Sequence, residues 1–134
     1  MRIMFERLSS GLRFLSRGTA IIAATQIVGA NSNPALAFDA ESRALWGASA
    51  MAEADYHRNN PCAQWTVDEQ AVKKVIAWSG QTLAQLRASD DYREQREAIK
   101  GVVQQYGIDM ACDAGGANFA VGDHDYGVLR HVGW

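Results

Sequence analysis

The chain has two cysteines, Cys62 and Cys112, and they stand almost equidistant from a turn-forming point at Ala88-Ser89. On either side of that point runs a long amphipathic stretch. If both stretches are antiparallel helices, the symmetry carries the two thiols to the open end of a hairpin, where a disulfide can tie it. Two cysteines allow a single intramolecular pairing. Closing a loop of 50 residues restricts the unfolded chain by on the order of 4 kcal/mol in the entropy model. A redox or metal role for the pair has less behind it, because there is no Cys-x-x-Cys and no histidine close enough in sequence to suggest a ligand set.

A disulfide needs an oxidising compartment, and the first 37 residues read as an address that supplies one. Arg2, Arg7, Arg13 and Arg17 precede an apolar run from Thr19 to Ala30, and Ala35-Leu36-Ala37 has the small-x-small form of a cleavage site. Val28-Gly29-Ala30 is a second possible cut. The run is shorter than the roughly 20 residues that span a bilayer, so no stable membrane insertion is expected after cleavage. Periplasmic or secreted localisation is expected, with a mitochondrial transit peptide as the rival for an Arg- and Ser-rich, acid-poor start.

Cutting after residue 37 of 134 leaves 97 residues, 38–134, expected to form one domain. The leader takes four of the 13 basic residues and one of the 15 acids, so the remainder carries a net −5. It retains no Lys/Arg cluster, which excludes the electrostatic footprint of a nucleic-acid binder. A domain this small is marginal on its hydrophobic core alone, which gives the disulfide a structural purpose.

Local signals predict a mainly α fold: an N-terminal helix, an antiparallel helix hairpin tied by the disulfide, and a short C-terminal β-hairpin or extended tail over 114–134. Helix 1 should begin after Asp39 and stop at Asn59-Asn60-Pro61, with Leu45, Ala48, Ala52 and Tyr56 forming one apolar stripe. Trp46 falls off that stripe. Thr66-Val67-Asp68-Glu69 fits a capping box and should open helix 2, with Gly80 as its weak point, able to kink or split it. Helix 3 should open at Ser89 or Asp90 and bury Tyr92, Ile99, Val102, Val103, Tyr106 and Met110. Gly107 can interrupt it and Gly115-Gly116 should end it. If the disulfide sets the register, facing residues sum to about 174, as Val72 with Val102 and Val75 with Ile99 do. In the tail, Asn118 to Val121 could pair with the alternating run Tyr126 to Val132.

Candidate sites are few. Asp123, His124 and Asp125, with His131 beyond, form the one cluster with metal-ligand chemistry, though its spacing matches no named zinc motif. His57 reads as a helix C-terminal residue favourable to the dipole when protonated. Asp68-Glu69 and Asp90-Asp91 serve helix starts, and no nucleophile stands beside a base, so neither an enzyme nor a bound cofactor is expected. The aromatics lead elsewhere. Four tryptophans are many for so small a core, and Trp46, Trp78, Tyr126 and Trp134 are the candidate partner-binding residues, with Trp65 and Trp78 able to complete the core instead.

The expectation is an exported helical protein acting through a protein partner, as an accessory subunit, inhibitor or immunity-type binder. From Cys62 to Cys112 the layout resembles that of the small acid-stress chaperones of the enteric periplasm, which are also helical, exported and tied by one disulfide. That resemblance implies exposure of apolar surface as acids protonate. A metal or small-ligand carrier using His124 and His131 is the remaining alternative.

Overall fold

Caps and breakers partition the chain into short helices wrapped on a central one. The computed structural model describes residues 38–133. The expected leader over 1–37 and the candidate Trp134 lie outside the described residues. The elements are α1 (Ala40–Asn59), β1 (Trp65–Val67), α2 (Glu69–Ser79), α3 (Leu83–Ala88), α4 (Asp90–Tyr106), α5 (Ile108–Phe119) and β2 (Leu129–His131).

Helix α1 starts where its cap predicts, with the Asp39 carboxylate accepting from the Ser42 backbone N–H at 2.7 Å. Its packing departs from a single stripe. Residues 47–55 are buried without a break, so α1 is the core helix and not a flanking amphipathic one. Its residues Gly47, Ala48, Ser49, Ala50, Ala52 and Ala54 are small, and small side chains let neighbouring backbones approach from several directions. A Cβ on Gly47 would stand 2.7 Å from the Ser79 Cβ, which shows how closely α2 crosses it. Helices α2, α3, α4 and α5 and strand β1 all pack on α1.

The expected start of helix 2 shifts. Thr66 and Val67 belong to β1, and Asp68 is the N-cap, its carboxylate accepting from the N–H groups of Gln70 and Ala71 at 3.0 Å each. The reciprocal capping box occurs instead at Thr82 and Gln85, opening α3. Gly80 splits the helix. It adopts the left-handed conformation with φ 72°, which suits a residue without Cβ and closes α2 at Ser79. Ser89 caps α4 by accepting from the Tyr92 N–H, and Gly107, at φ 94°, separates α4 from α5.

Gly115-Gly116 does not end a helix. Both lie inside α5, which runs on to Phe119. The pair is there for contact, since a Cβ on Gly116 would run into the Trp65 indole. The direct register between helices 2 and 3 is likewise not realised. Helices α2 and α4 pack on α1 in preference to each other. The disulfide still closes, with Cys62 and Cys112 Cα atoms 5.9 Å apart.

The C-terminal strand forms and pairs antiparallel with β1, in the register Trp65 with His131, Thr66 with Arg130 and Val67 with Leu129. Segment 118–121 contributes beside it: Val121 N–H donates to Leu129 O at 2.8 Å and Val128 N–H to Phe119 O at 2.9 Å. Val128, Leu129 and Tyr126 thereby enter the core with Phe119, Met51, Val72, Val75 and Leu86. Residues from Asp39 onward make one compact unit. No helix among the described residues is long and apolar enough to cross a membrane.

Candidate functional site

One helical turn of α1 places Glu53 and His57 on the same face, four residues apart. Each is only 4% exposed. Gln95 from α4 donates from Nε2 to Glu53 Oε1 at 2.9 Å, which orients the carboxyl group and leaves Oε2 over. Oε2 and both ring nitrogens of His57 are buried without a hydrogen-bond partner among the described residues, as is the Tyr56 hydroxyl. Buried polar atoms are nearly always satisfied, so this concentration on adjacent side chains marks the place.

Helix α5 forms the floor. A Cβ on Gly115 would stand 2.7 Å from Glu53 Oε2, 2.8 Å from His57 Cε1 and 3.2 Å from His57 Nε2. The acid and the imidazole therefore converge on the space over Gly115. At the edge of that space lies the disulfide. A ring nitrogen of His57 and the sulfurs of Cys62 and Cys112 all fall within 4.8 Å of one another, the single such ligand-type trio among the described residues. This reverses the sequence reading that no histidine attends the cysteines. Cys62 lies five positions after His57, and the turn after α1 folds them together.

Burial sets the charge states. It pushes the Glu53 carboxyl up to about 7, only partly offset by the hydrogen bond from Gln95. It pushes the His57 imidazole down. His57 does lie in the last turn of α1, but low polarity around it disfavours the protonated form that a helix-dipole role requires. At neutral pH the site holds a neutral imidazole beside a carboxyl near its midpoint.

Next along α1, Asp55 collects four hydrogen bonds. Arg87 donates to both carboxylate oxygens at 3.0 and 2.8 Å, Tyr92 OH donates at 2.6 Å and Arg58 at 2.8 Å. Burial opposes ionisation of Asp55, yet these bonds and charges outweigh it and hold its carboxyl below the usual range. Arg58 also grips Glu69 with two bonds, at 2.9 and 2.8 Å, joining the end of α1 to the start of α2.

The aromatic candidates gather inside. Tyr126 stacks on Trp46 at 4.5 Å and on His124 at 4.7 Å, with Trp78 tilted against it and Phe119 meeting it edge-on. Trp46 is half-buried rather than free on the surface. Of the proposed metal cluster, His124 lies on the Tyr126 ring, His131 meets the Trp65 indole edge-on at 5.1 Å, and Asp123 and Asp125 are exposed. The fold does not bring these four together as a ligand set.

The exposed apolar surface lies elsewhere. Tyr106, Ile108 and Met110, which flank Gly107 where α4 turns into α5, are 56%, 53% and 50% exposed. Periodicity alone puts Tyr106 and Met110 in the buried stripe of helix 3. Met110 lies past the break at Gly107, so the periodicity of α4 does not carry to it, whereas Tyr106 is the last residue of α4 and is exposed at that helix end. Sequence reasoning misses Glu53, Gln95, Gly115 and this knuckle. The i, i+4 spacing of Glu53 and His57 within an alanine-rich helix is the one signal that could have found the site.

No protein-family model matches the chain, and no curated protein or solved structure shows similarity to it.

Proposed function

We propose that the chain is an exported, disulfide-tied helical module that acts by binding a protein partner, and that the α4–α5 knuckle is its contact. The observation behind this reading is the joint exposure of Tyr106, Ile108 and Met110 at one bend. A domain that fully buries Phe119, Met51, Leu86 and Leu129 has no shortage of apolar residues inside. Three large apolar side chains left half in water on one corner are an aggregation liability unless something covers them. Exposed Asp109 and Asp113 stand beside them, giving the apolar centre a polar edge, as interfaces commonly have. The Trp shoulder favoured by sequence is less suited, because Trp46 is already stacked on Tyr126. Export rests on the basic-apolar leader with its small-x-small end, and the disulfide is consistent with it.

The test is crosslinking followed by mass spectrometry in the native compartment. The wild-type chain is compared with a Tyr106→Ser, Ile108→Ser, Met110→Ser triple variant whose circular dichroism is unchanged. Crosslinks should map to the knuckle and vanish in the variant. The same crosslinks from the folded variant would refute the assignment.

A further inference from the structure

Glu53, His57, Gly115 and the disulfide form a buried polar centre that partner binding leaves unused. We propose that reduction of Cys62–Cys112 opens a divalent-cation site, matched to zinc, whose ligands are the two thiolates, a ring nitrogen of His57 and Oε2 of Glu53. The donor set is one imidazole, one carboxylate and two sulfurs, which suits zinc by softness and by number. Helix α1 supplies two of the four, α5 supplies Cys112, and Cys62 stands just past the end of α1.

Distances favour it. Oε2 of Glu53 and Nε2 of His57 border one space, at 2.7 and 3.2 Å from where a Cβ on Gly115 would stand, so the two donors face the same side of α5. Glu53 stands outside the 4.8 Å grouping of His57 with the two cysteines, so its carboxylate must swing toward the sulfurs to complete the set. The sulfurs lie within 4.8 Å of a His57 nitrogen. Their Cα atoms are 5.9 Å apart, close enough for thiolates about 3.8 Å apart on one tetrahedral ion with Zn–S bonds of about 2.3 Å. Gln95 holds the far oxygen of Glu53 as an outer-shell partner holds a metal-bound carboxylate. An ion would also satisfy Oε2 and a ring nitrogen of His57, which lack partners in the oxidised chain. Four protein ligands leave no position for water, so the centre is structural in type and performs no hydrolysis.

Disulfide and ion exclude each other, because zinc takes thiolates. A dithiol reductant attacks the half-buried Cys62 sulfur, breaking the S–S bond and releasing the Cys112 thiolate. Its second thiol then attacks the mixed disulfide and frees Cys62. Two electrons pass from the dithiol, which leaves as a cyclic disulfide. Zinc binds both thiolates, and the two thiol protons go to solvent with any proton held by Glu53. Under oxidising conditions the covalent bond ties the domain, and under reducing conditions the ion takes its place.

The experiment uses the full chain purified without an affinity tag, oxidised or reduced with a phosphine, and titrated with cobalt(II) and then zinc. The reduced chain should bind one cobalt(II), with thiolate charge-transfer and tetrahedral d–d bands that zinc erases. The oxidised chain should bind none. His57→Ala should weaken binding by about a hundredfold, at or beyond what loss of an outer-shell partner costs. Zinc should raise the melting temperature of the reduced chain, since binding to the folded state stabilises it. Absence of charge-transfer bands, unchanged affinity in His57→Ala, or a melting temperature that zinc leaves unchanged or lowers would each overturn the proposal.

Discussion

At the scale of single residues, Glu53 and His57 pull the pH dependence of the oxidised fold in opposite directions. The Glu53 pKa rises from 4.5 to about 7 on folding, so between those values the native state holds a proton that the unfolded chain lacks. Its favourable contribution is complete below pH 4.5 and is lost as pH rises through 7, a change on the order of 3 kcal/mol. Glu53→Gln should therefore stabilise the oxidised chain at pH 8 and flatten its denaturant midpoint between pH 5 and 8. His57 is depressed below 6.5, so its contribution is present above 6.5 and falls as acid protonates the unfolded imidazole first. Asp55, held below 3.8, loses its contribution only in stronger acid. Glu53 thus resists the acid opening that the chaperone-like alternative needs, while His57 and Asp55 promote it. Replacing Asp55 tests the ion network: Asp55→Ala removes the carboxylate that Arg87 holds and one partner each from Arg58 and Tyr92, with Arg58 still bound to Glu69 and Tyr92 to Arg96. Both guanidiniums on Asp55 are partly solvated, so urea denaturation should show a loss of about 2 kcal/mol rather than the full 3–5 of a sealed pair.

Among the elements, glycines separate two effects. Gly80 and Gly101 both face open space, where a Cβ would meet nothing within 4 Å. Gly80 has φ +72° and Gly101 lies inside α4 with helical backbone. The same substitution should then act with opposite sign. Gly80→Ala should destabilise by about 1 kcal/mol, because an L-residue resists the left-handed region. Gly101→Ala should stabilise by about 0.5–1 kcal/mol through helix propensity and a less free unfolded chain. Paired thermal melts check both. Gly116→Ala belongs to a different class, since its Cβ meets the Trp65 ring and must displace the indole that β1 sets against α5.

For the molecule as a whole, the disulfide and the central position of α1 are the two facts that hold the rest. Cys62→Ala with Cys112→Ala should lower stability by up to about 4 kcal/mol in guanidinium titration, the loss expected for a loop of 50 residues. What could be read without the fold was local. Asp39 and Ser89 as caps, the breaks at Gly80 and Gly107, the helical class and the single cysteine pairing each depend on a few neighbouring residues or on counting. Tertiary structure decided what depended on distant partners. Gly115-Gly116 reads as a helix stop until Trp65, Glu53 and His57 are packed upon it. Thr66-Val67 reads as a capping box until β2 arrives to make it a strand. The central role of α1 was hidden because its alanines carry little hydrophobic signal, and their smallness matters only when four helices close around them. The Glu53–His57 site was hidden for a related reason: burial, not residue type, strips these side chains of water and brings them together over Gly115.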